Sequence, residues 1–214
     1  SKKLPLVPMP KRVAVSHPDY FSIILPYART GTIVTGTSGS FFERGYRLND
    51  IFDPEVSALF SGQPLGRDTW ASIYDYYRVV QTDMKITFYN SSTTSSALCG
   101  YELTDDPTNL TTTREAFLQR KNNHHTYVTP GGKGIDYTVK QFTYRPEKWD
   151  LHITQESKDT FWTPVGSSPS IPHLLYIRAI NGQSGNTIEM EYMVEMKFHV
   201  QFREVNSVVM NSTD

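Results

Sequence analysis

The chain has a single cysteine, Cys99. That excludes an internal disulfide and any zinc site built on paired cysteines. With no histidine near it in sequence, Cys99 reads as a small buried hydrophobe rather than a nucleophile. No apolar run approaches the roughly 20 residues of a membrane-spanning helix, and the first residues carry no signal-peptide pattern. The six histidines, His17, His124, His125, His152, His173 and His199, never fall into the HxH or HExxH spacing that brings two imidazoles to one metal. Adjacent His124 and His125 read as loop residues. No G-x-S-x-G elbow and no P-loop occurs. Asp105-Asp106 reads as a solvated turn rather than a calcium site. The N-x-S/T triplets at Asn90, Asn109 and Asn211 read as chance in a chain rich in Ser and Thr. An enzyme is therefore not expected, and neither a metal nor a cofactor is.

Charge is scarce in sum but unevenly placed. The chain totals −1, yet the first twelve residues hold Lys2, Lys3, Lys11 and Arg12 and no acid, so the remainder carries −5. Pro5, Pro8 and Pro10 keep that stretch out of helices and central strands. It reads as a basic extended arm, residues 1–12, on a mildly acidic body, residues 13–214. Such an arm suits polyanions. Four basic residues are too few to balance a long polyanion, so a longer Arg/Lys-rich segment ahead of Ser1 is expected.

What is abundant is aromatic and β-branched. Thirteen Tyr and 11 Phe suit strands and extensive contacts between surfaces, and 13 Gly with 13 Pro suit many turns. Residues 188–203 alternate without a miss, Ile188, Met190, Tyr192, Val194, Met196, Phe198, Val200 and Phe202 against mostly polar neighbours. Period two means a strand with one buried face. Its length demands a large sheet beside it and a second sheet over it, so the strand is predicted to be central in a β-sandwich.

Other elements follow in order. Strands are predicted over 20–27, 32–37, 41–48, 84–89, 97–103, 136–144 and 174–180. Asp53-Pro54 predicts a short helix over 54–61. Asp68 is expected to cap a second helix, with Trp70, Ile73, Tyr74 and Tyr77 as its apolar stripe. A third helix is predicted over 113–122. Asn181-Gly182 and Gly185-Asn186 predict a hairpin into the last strand. Residues 38–83, 104–134 and 145–172 read as long loops.

Two stretches carry a resemblance. Residues 48–90, LNDIFDPEVSALFSGQPLGRDTWASIYDYYRVVQTDMKITFYN, combine an LND…DP segment, a QP-G-D-W segment, an expected Tyr-rich helix and a Val-rich strand. Residues 159–180, DTFWTPVGSSPSIPHLLYIRAI, place Trp-Thr, then Pro, then an apolar strand near the C-terminus. In that order these are similar to the capsid proteins of circovirus-like (circular Rep-encoding single-stranded DNA, CRESS-DNA) viruses. The resemblance implies an all-β single jelly-roll sandwich of two four-stranded antiparallel sheets, with long loops and one or two short helices. It implies self-assembly of many copies, sixty in the smallest (T=1) icosahedral shell, around circular single-stranded DNA. It also implies a virion component that assembles in the host nucleus, an unknown host receptor and no membrane insertion. The expected DNA-binding residues are Lys2, Lys3, Lys11 and Arg12 with Lys140, Arg145 and Lys148. The expected subunit contacts are Tyr46, Phe52, Trp70, Tyr74, Tyr77, Trp149, Phe161 and Trp162, exposed in an isolated subunit. Two alternatives stay open: the capsid of a small positive-strand RNA virus, and a carbohydrate-binding jelly-roll module with Trp149 and Trp162, beside Asp150 and Asp159, as its platform.

Overall fold

The long alternating stretch forms strand β9 (Ile188–Val205), and its inward side chains, Ile188 to Phe202, are all at most 2% exposed. Each contributes roughly 1.5–3 kcal/mol for the area it removes from water. The computed structural model describes residues 18–35, 40–57, 62–130, 136–149, 161–182 and 188–206. Before β9 come β1 (Tyr20–Thr35), β2 (Phe42–Arg47), α1 (Arg67–Ala71), β3 (Tyr74–Asn90), β4 (Ala97–Thr104) and α2 (Arg114–Gln119). Then follow β5 (Asn123–Val128), β6 (Asp136–Tyr144), α3 (Pro146–Trp149), the two-residue β7 (Thr163–Pro164) and β8 (Leu174–Asn181).

The antiparallel partners are nested. β4 pairs with β5, β3 with β6, β2 with β8 and β1 with β9, as in one long hairpin wound upon itself. Further pairing of β3 with β9 and of β4 with β8 closes two sheets, β1-β9-β3-β6 with β7 on β3, and β2-β8-β4-β5. This is a jelly roll, of five and four strands, with β9 inside its sheet as its alternation required. Large side chains fill the space between the sheets, Tyr46, Tyr77, Phe88, Phe198 and Phe202 among them. On the second sheet, β8 is buried on both faces: α2 covers the outer one, where Phe117 packs on Leu98 and Ile180.

Several expectations are corrected. The strands predicted over 20–27 and 32–37 are one, β1; it is an edge strand, where Pro26 is tolerated. No helix forms over 54–57, the described part of the predicted 54–61. There Arg47 N–H donates to the Pro54 carbonyl and Val56 N–H to Gly45, so the backbone is engaged against β2. α1 ends at Ala71, is preceded by Gly66 at φ 83°, and takes no side-chain cap from Asp68. Tyr74 and Tyr77 lie on β3 instead. Tyr74 stands opposite Val205 and Tyr77 opposite Phe202, all four buried, and Glu204 between the two partners has φ 62°. β8 and β9 belong to different sheets and are not a hairpin; residues 183–187 lie outside the described ones. The three predicted long loops contain β2, α1 and the first part of β3, then α2 and β5, then α3 and β7. His124 and His125 sit on β5, not in a loop.

Candidate assembly and nucleic-acid surfaces

The two stretches that carried the resemblance are about a hundred residues apart in sequence, and they meet at one end of the sandwich. Asn49 donates through Nδ2 to the Ile171 carbonyl (2.8 Å), and its Oδ1 accepts from His173 N–H (3.0 Å). Leu48 N–H donates to the His173 carbonyl (2.8 Å), and Thr82 Oγ1 donates to the Leu48 carbonyl (2.6 Å). Asp50, fully buried, accepts from Phe52 N–H (2.8 Å), Asp53 N–H (3.1 Å) and Tyr77 Oη (2.9 Å). Tyr77 Oη also lies 3.1 Å from the Ser167 carbonyl, and Arg67 donates to the Val165 carbonyl while stacking over Phe52. Burial raises the Asp50 carboxyl's pKa despite the bonds it accepts from Ser168, Asp53, Phe52 and Tyr77. The LND segment thus fixes a corner. It carries no exposed chemistry.

Three expected subunit contacts are therefore corrected. Tyr46, Tyr74 and Tyr77 are 0% exposed within one chain and have no surface to offer a neighbour. Phe52, Trp70, Trp149, Phe161 and Trp162 are half-buried. Trp70 spends one face on Phe21, with centroids 4.4 Å apart, and Trp149 stacks on His173 at 5.2 Å. The large exposed apolar side chains are others: Ile24, Val34, Leu65, Tyr127, Tyr137 and Ile171, each more than half exposed. Four of them stand on the outward or edge side of strands, a signal present in the same alternation that marked the core.

Of the expected DNA-binding residues, Arg145 and Lys148 come together. With Trp149, Phe142, Asp105 and Asn122 they line a groove of about 450 Å³ where β6 turns into α3. Arg145 Nε donates to Gln81 Oε1 (2.9 Å). Lys140 stands further along β6 and donates to the His125 carbonyl (3.1 Å). Lys2, Lys3, Lys11 and Arg12 lie outside the described residues, as do Asp150 and Asp159.

The remaining polar groups are occupied by the fold. Asp106 accepts from Thr108 N–H (2.8 Å) and Oγ1 (2.7 Å), which lowers its pKa. Burial pushes the Cys99 thiol up to about 12, with the Lys140 charge opposing weakly. His124 stacks on Tyr101 (4.7 Å), and burial, then the charge of Lys140, lowers its pKa. Among the described residues no three His, Cys, Asp or Glu side chains stand together as a metal site would need, and no helix is long and apolar enough to cross a membrane.

No protein-family model matches the chain, and no curated protein sequence does. Solved structures are similar to it at low identity. The decameric BFDV capsid protein is 15% identical, with a TM-score of 0.49, over 86% of this chain and 99% of that one. The 60-mer of the same capsid protein gives 15% and 0.49 over 86% and 94%. Cocksfoot mottle virus gives 12% and 0.48 over 90% and 100%.

Proposed function

We propose that the chain is the coat subunit of a small icosahedral virus of the circovirus-like type, closing as sixty copies around a circular single-stranded DNA genome. The observation that carries this reading is the corner just described. Two separate stretches, picked out by one family-like pattern, are joined by direct hydrogen bonds between Leu48 or Asn49 and Ile171 or His173. The bonds continue the β2–β8 pairing past Arg47 and Leu174, so the resemblance covers both sides of one junction of the fold. The jelly roll suits such a subunit, since it buries its core between two sheets and leaves loops at both ends for symmetry contacts. Its filled interior, with Phe88, Phe198 and Phe202 between the sheets, leaves the surface to do the work.

In this reading the half-buried loop aromatics Phe52, Trp70, Trp149 and Phe161, with exposed Leu65 and Ile171, meet neighbouring subunits. The basic arm, with Lys2, Lys3, Lys11 and Arg12, neutralises genome phosphates, and Lys140, Arg145 and Lys148 add charge from the body. Neutralising phosphates releases condensed counter-ions and is indifferent to sequence, so packaging is driven by salt-sensitive charge pairing. No catalytic residue is required. Assembly would take place in the host nucleus, where a circular single-stranded genome is copied, and the particle would meet its host receptor through exposed loops.

The test is negative-stain electron microscopy of the purified protein, with absorbance at 260 and 280 nm on the same fraction. Uniform round particles with excess 260 nm absorbance that DNase removes and RNase does not are the expected result. A monomer at every salt concentration and pH would overturn the capsid reading. Particles whose nucleic acid yields only to RNase would overturn the DNA part alone.

A further inference from the structure

We propose that Trp162, with Arg78, Arg203, Tyr20 and Tyr76, forms a platform on which an unpaired base of single-stranded DNA stacks; this rests on the coat-subunit reading above. The five residues converge on the outward face of the β1-β9-β3-β6 sheet. In the register, Tyr20 of β1 and Tyr76 of β3 flank Arg203 of β9, and Arg78 lies beside Gln201 in the next outward row. Both guanidiniums stack over the Trp162 ring, Arg203 at 4.5 Å and Arg78 at 4.7 Å from its centroid. Tyr20 meets the same indole edge-on at 5.8 Å, and Arg203 also lies 5.4 Å from the Tyr76 ring centre.

The charges are held in place. Arg78 donates from Nε to Gln201 Oε1 (2.7 Å) and from Nη2 to Tyr20 Oη (3.2 Å), neutral acceptors that leave its charge uncompensated by those bonds. Arg203 is paired with Glu204 (3.3 Å) and keeps a third of its side chain exposed. Tyr20 is 46% exposed. Rings and guanidinium planes beside positive charge are what unpaired bases and their phosphates bind in sequence-tolerant sites. Position favours the same ligand. Tyr20 is eight residues after Arg12, so the last basic residues of the arm are tethered within about 28 Å of the platform. A strand neutralised by the arm would be delivered to it.

Fluorescence anisotropy of labelled oligo(dT) with the full chain tests this. Trp162→Ala is expected to weaken binding about 5- to 150-fold, as loss of one base–aromatic stack does, and Trp162→Phe to stay within about threefold of the parent because a ring remains. Arg78→Gln with Arg203→Gln is expected to flatten the plot of log affinity against log salt by about 1.4, roughly 0.7 per phosphate contact on a single strand. Duplex DNA, whose bases are already stacked, should bind both Trp162 variants like the parent. Unchanged oligo(dT) affinity in Trp162→Ala would overturn the platform and leave the coat-subunit reading standing. So would a Phe variant as weak as the Ala variant. Loss of particles in Trp162→Ala at unchanged affinity would reassign Trp162 to a subunit contact. Particles from the parent chain that bind no oligo(dT) would overturn both the platform and DNA packaging.

Discussion

Glu102 is predicted to be the costliest charge to remove. It is 0% exposed on the outer face of β4, beneath the segment that leads into α2. Its carboxylate accepts from Thr111 N–H (3.1 Å), Thr111 Oγ1 (2.8 Å) and Arg120 Nη1 (2.7 Å). Arg178, 1% exposed, brings Nε to 3.9 Å from the same carboxylate and Nη1 to 3.1 Å from Glu43, and stacks over Phe41. Nη2 donates to the Thr111 carbonyl, while Nε and Nη1 make no aligned hydrogen bond and face Glu102 and Glu43 as charge partners. Burial draws its pKa down even with Glu43 and Glu102 beside it. Glu43 is 47% exposed and screened by water, which leaves Glu102 as the buried compensation. Glu102→Gln keeps the shape and removes that charge. Stranding one member of a buried pair costs about 3–5 kcal/mol, and for a domain of this size each kcal/mol is roughly 2–4 °C in melting temperature. The expected fall is roughly 6–20 °C by far-UV circular dichroism at one protein concentration and salt. Adding Arg178→Met, which removes the stranded cation, should restore part of it. A Glu102→Gln variant melting within about 2 °C of the parent, or a double variant worse than the sum of the singles, would refute the reasoning.

Gly100→Ala should lose roughly 3 kcal/mol, the upper end of overpacking costs, read as a shift in urea midpoint. A Cβ there runs into the carbonyl oxygen of His124 on the paired strand β5, and backbone cannot step aside as a side chain does; an unchanged midpoint would contradict this. Asp50 sets a pH dependence. Its raised folded pKa means its contribution is full below the unfolded value of about 3.9 and is lost as pH rises through the folded one. Asp50→Asn cannot ionise, so its stability relative to the parent should rise between about pH 4 and 7. A difference that stays flat across melts in that range would count against it.

The legibility of the fold followed local physics. β9 could be read because its alternation is unbroken and only one of its faces is buried. β4 and β8 were bounded to within a residue, and β6 was placed by its β-branched and aromatic residues, although Tyr137 and Val139 face outward while Phe142 and Tyr144, of the other parity, face inward. β1 was split in two because Pro26 and Gly31 punctuate it. Both residues answer to tertiary context: Pro26 to the free edge, and Gly31 to the Tyr192 ring, 2.7 Å from where a Cβ would stand. Tyr74 and Tyr77 misled because both are buried on one strand at a three-residue spacing that mimics a helix, matched by Val205 and Phe202 across the pair. Arg178 carried a signal that went unread. A lone arginine within LLYIRAI asks for a buried partner, and Glu102 could have been sought.

For the candidate surfaces the division is instructive. The family-like stretches contain residues that are easily noticed, Asn49, Asp50 and Tyr77, and these build a corner whose hydrogen bonds run within the chain. Their pattern reports how the chain turns between sheets, so it speaks to fold more strongly than to ligand. Tyr20, Arg78 and Arg203 come from three separate strands and Trp162 from the residue before β7, and no window of sequence holds more than one of them. Only the pairing of β1, β9 and β3 brings them into neighbouring rows. A site assembled across strands in this way leaves no motif. It is recognisable by the chemistry that converges once register is known, here two guanidiniums and a tyrosine edge on the Trp162 ring.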